Sequence, residues 1–253
     1  MTMKRLPNPS PSWAYFLDVD GTLIELADTP DAVHVDHLLL TLISNLHQKV
    51  GGALALISGR SLADLDHRLK IPWLPIAGQH GLERRDNFGN IHRHSISPIS
   101  SELFIERLAP LMTRHPGLHI EHKGATLAIH YRLAPHLGGY LHRLLKCMVL
   151  QMKGLQLQPG KRVLEIKPSG YDKGSAIEEY TTQPPFIGRR PVFIGDDLTD
   201  EHGFAVVNRL DGYSIKVGVG RTCAHYRLNG IDSVRGWLAK LLLCHATGKQ
   251  GEL

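Results

Sequence analysis

Acidic side chains gather at two places in the sequence, each directly after a short apolar run. Asp18 and Asp20 follow the run that ends at Leu17, and Asp196 and Asp197 follow a second run far along the chain. Carboxylate oxygens are the ligands that Mg²⁺ prefers, and Mg²⁺ usually keeps several coordination positions for water and phosphate. If the two places meet in the folded chain, the sequence predicts a magnesium site suited to phosphate chemistry.

The spacing of the first two carboxylates suits a divided role in phosphoryl transfer. Asp18 and Asp20 are two residues apart, so both side chains can face the same side of an extended segment. One carboxylate can then attack phosphorus, while the other protonates the leaving oxygen and later deprotonates water. Gly21 permits a tight turn next to a phosphate. Ser58 after a third apolar run, or a backbone N–H group, would hold the phosphate oxygens, and Lys173 would neutralise charge shared with Asp18.

Apolar runs that alternate with helical patterns must position these residues. Residues 14–17 and 53–57 are typical of buried strands, and apolar residues recur at helical spacing between them, over 36–50. The same pattern returns after Lys173, with a further buried run at 191–194. Alternating strands and helices are typical of a parallel sheet, in which ligands bind beyond the carboxyl ends of the strands. The sequence therefore predicts a doubly wound, parallel-sheet, Rossmann-like α/β core in which the carboxylates converge.

The pattern changes between the two halves of this core. Residues 88–166 contain strands with alternating polar and apolar side chains together with two helical stretches, which predicts an inserted α+β cap domain. The predicted core domain comprises 13–87 and 167–253, and residues 1–12, with three prolines and little periodicity, are predicted to form a flexible tail. Alternation in the inserted domain places these polar residues on exposed strand faces: Glu121, Lys123, His130, Arg132, Glu165 and Lys167.

Composition and charge argue against several other classes of protein. The formal net charge is +5, but the basic residues are scattered and no nucleic-acid-binding motif occurs, so no nucleic-acid partner is expected. The three cysteines lie far apart and form no CxxC pair, which favours a reducing cytoplasm over a disulfide framework or a zinc site. No apolar stretch approaches the roughly 20 residues that a membrane span needs. A monomer without a membrane partner is expected.

Six segments of the chain resemble the haloacid dehalogenase superfamily of phosphatases and, within it, the bacterial type of trehalose-6-phosphate phosphatase. The resemblance covers almost the whole chain after the tail. The segments are 16–23, 55–61, 77–86, 158–161, 165–174 and 192–201. The first and last are shared widely across the superfamily, whereas 165–174 is the most specific. Gln79 stands where a small apolar residue is expected.

The resemblance implies a metal-binding role for five of the carboxylates. Asp18 would be the nucleophile and also a metal ligand. Asp20 would be the general acid and base, and would bind Mg²⁺ through its carbonyl oxygen. Asp196 would bind the metal directly, and Asp197 and Asp200 would support it.

The resemblance also implies a set of substrate contacts. Ser58 and Lys173 would bind the phosphoryl group, and the polar face of the cap would grip the sugar hydroxyl groups. For His80 and Arg84, a structural role at the hinge is an equal alternative. The full set of expected substrate contacts outside the catalytic residues is Gly59, Arg60, His80, Arg84, Glu121, Lys123, Glu165 and Lys167.

These implied roles lead to one expected reaction and several alternatives. The expected reaction is the Mg²⁺-dependent hydrolysis of trehalose 6-phosphate, a small-molecule substrate, to trehalose and inorganic phosphate, as a step of trehalose biosynthesis. Another sugar phosphatase, a sugar-phosphate mutase with the same nucleophile and a catalytically silent sugar-phosphate sensor remain open. The presence of Asp18, Asp20, Lys173 and Asp196 argues against the sensor, because a sensor has no need of acid–base chemistry.

Overall fold

The computed structural model of the protein describes residues 5–25, 35–94, 101–122 and 126–243. The chain divides into two compact units, one of Met1–Arg93 with Asp172–Leu253 and the other of His94–Tyr171. The inserted domain predicted over 88–166 overlaps the second unit, and its role as a specificity domain stays a prediction. Within the described ranges, no helix is long and apolar enough to cross a membrane.

The two units contain twelve strands and seven α-helices within the described residues. The strands are β1 (Ala14–Leu17), β2 (Leu54–Ile57), β3 (Ile76–Gly78), β4 (Glu83–Arg85), β5 (Ile91–Arg93), β6 (His119–His122), β7 (Leu127–His130), β8 (Leu155–Gly160), β9 (Val163–Pro168), β10 (Pro191–Gly195), β11 (Tyr213–Val217) and β12 (Tyr226–Leu228). The helices are α1 (His37–Lys49), α2 (Leu62–Leu69), α3 (Ser101–Arg114), α4 (Gly138–Leu150), α5 (Lys173–Thr181), α6 (Glu201–Arg209) and α7 (Ile231–Leu243).

The first unit is built on an eight-stranded sheet with β1 near its centre. The strand order is β12-β11-β10-β1-β2-β3-β4-β5, and the pairings from β12 to β3 are all parallel. β1, β2 and β10 are buried along their whole length, as parallel strands covered on both faces must be. Helix α1 packs against α7, and α5 packs against α6. The predicted parallel α/β core is confirmed.

A β-hairpin that the sequence did not predict extends this sheet. β4 and β5 pair antiparallel, and the turn-rich stretch between them is held by one carboxylate. Asp86 accepts hydrogen bonds from the backbone N–H groups of Phe88 and Asn90, both at 2.9 Å, and its Oδ2 lies 2.8 Å from Nε2 of His92. The turn therefore belongs to the first unit and does not begin the second one.

The second unit contains a four-stranded antiparallel sheet in the order β6-β7-β9-β8, with the two helices α3 and α4. Strand alternation is as predicted, because Glu121 pairs with Ala128 and Ala128 with Glu165 in the sheet register. However, Lys167 is completely buried and Glu165 is 8% exposed. The expected solvent-exposed polar face is therefore wrong at these two residues.

The described part of the N-terminal segment contacts the first unit. Leu6 packs against the main hydrophobic core. The indole Nε1 of Trp237 donates to the carbonyl of Pro7 at 2.9 Å, and the Tyr15 hydroxyl donates to the carbonyl of Ser10 at 2.8 Å. The segment predicted to be a flexible tail thus has fixed contacts at these residues.

Candidate active site

The carboxyl ends of two neighbouring strands carry the acidic residues of the site. The parallel register pairs Leu17 of β1 with Ile194 of β10, so the residues that follow these strands emerge side by side. Carboxylate oxygens of Asp18, Asp196 and Asp200 all lie within 4.8 Å of one another. The structure therefore brings together the two acidic stretches, at the sheet edge where parallel α/β proteins bind ligands.

Lys173 is a buried cation that contacts two carboxylates of this site. It is the first residue of α5, whose start is fixed by the Asp172 N-cap and its reciprocal hydrogen bonds with Ser175. The ammonium group donates to Oδ1 of Asp18 at 2.6 Å and to Oδ1 of Asp200 at 2.7 Å. Burial alone would lower the pKa of Lys173, but the two carboxylates outweigh burial and raise this pKa. Lys173 is therefore a permanent positive charge against the Asp18 carboxylate.

The electrostatics of the carboxylates fit a divalent cation. Burial raises the pKa of Asp18 well above its usual value, and repulsion from Asp200 and Asp196 adds to this despite Lys173. Burial and the charges of Asp200 and Asp197 raise the pKa of Asp196 to about 6. Among the described residues, Oδ2 of Asp18 is buried and has no hydrogen-bond partner. A cation bound here would reduce the repulsion among the carboxylates and would give Oδ2 of Asp18 a partner.

Asp200 and Asp197 differ in their relation to this cluster. Asp200 is fully buried, and its second oxygen accepts the backbone N–H of Asp197 at 2.9 Å. Asp197 is exposed, and its own carboxylate accepts the N–H of Leu198 at 2.7 Å, where a short 3₁₀ helix begins. Asp200 thus holds both the Lys173 ammonium group and the backbone of Asp197 in place. The Asp197 carboxylate caps the short helix and does not join the cluster.

Two glycines allow the backbone to approach the carboxylates closely. Gly21 has a φ of +83°, and a Cβ atom there would lie 2.2 Å from Oδ2 of Asp196. A Cβ atom at Gly195 would lie 2.3 Å from the carboxyl carbon of Asp200. Real Cβ atoms do not approach other atoms so closely, so any larger residue would displace a carboxylate. The space around the three carboxylates is therefore set by the absence of side chains at these two positions.

Asp20 is directed to Arg60 and not to the other carboxylates. The guanidinium of Arg60 donates two hydrogen bonds to the Asp20 carboxylate, from Nε at 2.6 Å and from Nη2 at 2.7 Å. A third bond runs from Nη1 of Arg60 to Asp64 at 2.8 Å. A bidentate pair of this kind is the strongest ordinary form of ion pair. The sequence did not predict that the two residues are partners.

The loop of residues 58–60 follows β2, which is the strand next to β1. Ser58 is 1% exposed, and its hydroxyl accepts the backbone N–H of Arg60 at 3.1 Å. Gly59 lies against the ring of His80, because a Cβ atom at Gly59 would be 2.8 Å from Cε1 of that ring. His80 therefore contacts the loop expected to bind phosphate.

Arg84 is not brought to the carboxylate cluster. Its Nε donates to Glu179 at 3.0 Å and its Nη1 to Gln183 at 3.1 Å. Glu179 is six residues after Lys173 in the chain, which corresponds to about 9 Å along an α-helix. The guanidinium also lies 5.0 Å from the centroid of the Tyr180 ring. These contacts favour the structural alternative for Arg84.

The expected sugar contacts of the second unit have partners within that unit. Oε1 of Glu165 accepts the hydroxyl of Thr126 at 2.8 Å, and Nζ of Lys167 donates to the carbonyl of Tyr171 at 2.6 Å. Oε2 of Glu121 lies 2.9 Å from Nε2 of His130. Lys123 lies outside the described residues. Contacts of these four residues with a sugar stay predictions.

Sequence reasoning missed two residues that contact the site. Lys216 of β11 is buried, and its Nζ donates to the backbone carbonyl of Asp196. A lysine in an otherwise buried strand was the available signal, because a buried ammonium needs a partner. The backbone N–H of Gln79 donates to the carbonyl of Arg60 at 2.8 Å, a contact that no sequence pattern reports.

Comparisons with known proteins agree with one another. The sequence profile of the trehalose-phosphatase family matches residues 16–230. Trehalose-6-phosphate phosphatase of Escherichia coli K12 is 46% identical over 233 residues, covering 92% of this chain and 87% of that protein. A probable trehalose-phosphate phosphatase of Sinorhizobium fredii is 43% identical, covering 92% and 88%.

Two solved structures are also similar to this chain. The crystal structure of a trehalose-6-phosphate phosphatase related protein has a TM-score of 0.73 at 28% identity and covers 90% of this chain and 97% of that one. The C-terminal domain of trehalose-6-phosphate phosphatase from Candida albicans has a TM-score of 0.80 at 23% identity, with 92% of each chain covered. The second comparison supports the fold.

Proposed function

Because the chain belongs to the trehalose-phosphatase family of the haloacid dehalogenase superfamily, we propose that it hydrolyses trehalose 6-phosphate to trehalose and inorganic phosphate. One observation carries this proposal. The buried Asp18 carboxylate has one oxygen held by Lys173, while the other has no hydrogen-bond partner among the described residues and lies in the cluster with Asp196. A carboxylate that is oriented by a cation and has one unbonded oxygen is suited to nucleophilic attack on phosphorus.

The first half of the reaction transfers the phosphoryl group to Asp18. A bond forms between a carboxylate oxygen of Asp18 and phosphorus, and the bond from phosphorus to the sugar oxygen breaks. Asp20 donates a proton to that sugar oxygen, so trehalose leaves as a neutral alcohol. For this step the Asp20 carboxylate has to turn from Arg60, to which it is bonded here, toward the substrate.

The second half regenerates the carboxylate. Water attacks the phosphorus of the aspartyl phosphate and gives a proton to Asp20, and the bond from phosphorus to Asp18 breaks to release inorganic phosphate. Lys173 and the loop at Ser58 bind the phosphoryl oxygens in both halves. Phosphoryl transfer of this kind depends mostly on positioning and on neutralisation of charge.

A magnesium ion is the proposed cofactor. Asp18, Asp196 and the backbone carbonyl of Asp20 would hold it, with Asp200 in support through Lys173 and the backbone. When bound, Mg²⁺ supplies positive charge that neutralises the phosphoryl oxygens and polarises the phosphorus. A cytoplasmic location, the lack of nucleic-acid and membrane partners, and a monomeric state stay predictions.

A phosphate-release assay tests the proposal. The purified protein is given trehalose 6-phosphate, sucrose 6-phosphate, glucose 6-phosphate and p-nitrophenyl phosphate, each with Mg²⁺ and with chelator. We expect the highest kcat/KM for trehalose 6-phosphate, loss of activity in chelator, and no turnover by the Asp18→Asn variant. A preference for another sugar phosphate would identify a different sugar phosphatase. Binding without phosphate release in every case would identify a sensor.

A further inference from the structure

The backbone between β3 and β4 contains a strained turn. Gln79, His80 and Gly81 have φ angles of +46°, +56° and +96°, so three successive residues lie in the left-handed region. For residues with a Cβ atom this region costs roughly 1–2 kcal/mol each, and such strain persists only where surrounding contacts impose it. Two successive non-glycine residues in this region indicate that contacts from the surrounding structure impose the conformation of the turn.

The contacts that hold the turn come from the loop of residues 58–60. The backbone N–H of Gln79 donates to the carbonyl of Arg60 at 2.8 Å, and the N–H of His80 donates to the carbonyl of Ser58 at 3.0 Å. The N–H of Ser58 in turn donates to the carbonyl of Ala77 at 2.8 Å. The N–H groups of the turn thus reach the carbonyl groups at both ends of this loop. Together with the bond from Ser58 to Ala77, they extend the hydrogen bonding between β2 and β3 beyond the ends of the two strands.

The His80 ring fixes the middle of the same loop. A Cβ atom at Gly59 would lie 2.8 Å from Cε1 and 2.9 Å from Nε2 of the ring. His80 is 7% exposed, so its ring is enclosed and has little room to move aside. The backbone and the side chain of this one residue therefore contact two successive residues, Ser58 and Gly59.

We propose that His80 is a positioning residue that sets the shape of the Ser58–Gly59–Arg60 loop, and that it acts on phosphoryl binding and not on the sugar. The proposal deepens the proposed function and rests on it in one respect, because it takes this loop as the part that binds the phosphate oxygens. It differs from the expectation that His80 contacts the substrate directly. It also gives a physical reason for glycine at position 59, where a methyl group and the ring would compete for one space.

Variants at positions 80 and 59 test the proposal. His80→Gly keeps the left-handed backbone available and removes the ring, and His80→Asn keeps a residue that tolerates this backbone region. Gly59→Ala adds the methyl group against the ring. We expect each to raise the inhibition constant of inorganic phosphate and the KM for p-nitrophenyl phosphate roughly tenfold, because small misplacements of binding groups are costly. The melting temperature of each variant, measured by thermal unfolding, tests whether the variant keeps its fold.

The double variant His80→Gly/Gly59→Ala is the decisive arm. Removal of the ring leaves space for the methyl group, so the double variant should bind phosphate about tenfold more weakly than wild type, like each single variant, and not the roughly 100-fold more weakly that independent effects would give; such non-additivity is expected of residues in contact. Phosphate binding within twofold of wild type in both His80 variants would overturn the proposal, as would an additive loss of roughly 100-fold in the double variant. Losses confined to trehalose 6-phosphate would identify a direct sugar contact instead.

These measurements distinguish a failure of the role proposed for His80 from a failure of the proposed substrate. They use p-nitrophenyl phosphate and inorganic phosphate, neither of which contains a sugar. If the wild-type protein prefers another sugar phosphate, the substrate assignment fails, while the effect of His80 on phosphate binding is still measured.

Discussion

Replacement of Gly21 by alanine tests the geometry of the carboxylate cluster directly. The added Cβ atom would lie 2.2 Å from Oδ2 and 2.5 Å from the carboxyl carbon of Asp196. The contact must be relieved by movement of either the Asp18–Gly21 segment or Asp196 by about 1 Å, since ordinary contacts begin near 3.4 Å. A misplacement of this size can cost on the order of 100-fold in rate. We therefore expect kcat for trehalose 6-phosphate to fall about 100-fold or more.

The same substitution also carries a backbone cost that has to be separated from the steric one. At a φ of +83° alanine is disfavoured by roughly 1–2 kcal/mol, which lowers the melting temperature by roughly 2–8 °C in a protein of this size. Gly89 supplies a matched control. It has a φ of +84° and lies in the β4–β5 turn, and a Cβ atom added there would meet no described atom within 4 Å. Gly89→Ala should therefore lose similar stability and keep its activity.

Phosphate release at saturating Mg²⁺ and thermal unfolding are measured on both variants. Wild-type activity in a folded Gly21→Ala protein would show that Asp196 need not be where the structure places it. Equal losses of activity in Gly21→Ala and Gly89→Ala would show that the backbone strain, and not the contact with Asp196, is responsible. Either result would refute the reasoning from the close approach of Gly21 to the cluster.

Three further predictions concern single side chains. Asp20→Asn should lower kcat by roughly 10²–10⁴-fold, the usual contribution of a positioned proton donor, and a loss under threefold in steady-state assays would assign proton transfer to another group. Glu165→Gln should keep the acceptor for Thr126 and hence the fold, but lose about 1–3 kcal/mol in kcat/KM for trehalose 6-phosphate while p-nitrophenyl phosphate is unaffected; equal losses on both would place Glu165 in the chemical site or the scaffold. Burial would raise the pKa of Asp86, but hydrogen bonds from His92, Asn90 and backbone N–H groups lower it to about 2, so its carboxylate stabilises the fold above pH 4 and less as the pH falls toward 2. Asp86→Asn should therefore cost about 1–2 kcal/mol of unfolding free energy in urea titrations at pH 6, with a smaller difference at pH 3; the same difference at both values would contradict this.

The parallel core could be predicted because its strands are buried on both faces. Strands β1, β2 and β10 consist almost entirely of apolar residues, and each is followed by a polar loop, which is a strong signal. The edge strands β8 and β12 gave no such signal. β12 is three residues long and half-buried, and β8 contains Pro159 and Gly160. Such strands form because a neighbouring strand offers hydrogen bonds, and a pattern of side chains does not report that.

The residue types of the site could be predicted, but several of their partners could not. Carboxylates that follow strands of one parallel sheet emerge at the same edge, so the sequence predicted that Asp18 and Asp196 could converge. The pairing of β1 with β10 then brings them together. The bidentate pair of Asp20 with Arg60 and the contact of Lys216 with the Asp196 carbonyl depend on side-chain rotamers and on loop paths. Period-two alternation gives the face of a residue but not what covers that face, which is why Lys167 was expected to be exposed.

The segment 165–174 shows how one stretch of sequence can combine structural and chemical functions. Lys173 has two carboxylate partners, Asp18 and Asp200, and its ammonium group remains charged beside the proposed nucleophile Asp18. Lys167 is six residues earlier, is completely buried, and donates to the carbonyl of Tyr171 within the same stretch. A buried ammonium group is costly unless it is paired, so this contact constrains the path of the chain from Lys167 to Tyr171 within the second unit. Each of the two lysines thus has a contact within its own unit, Lys167 with Tyr171 and Lys173 with Asp18, whereas sugar contacts of this stretch stay a prediction.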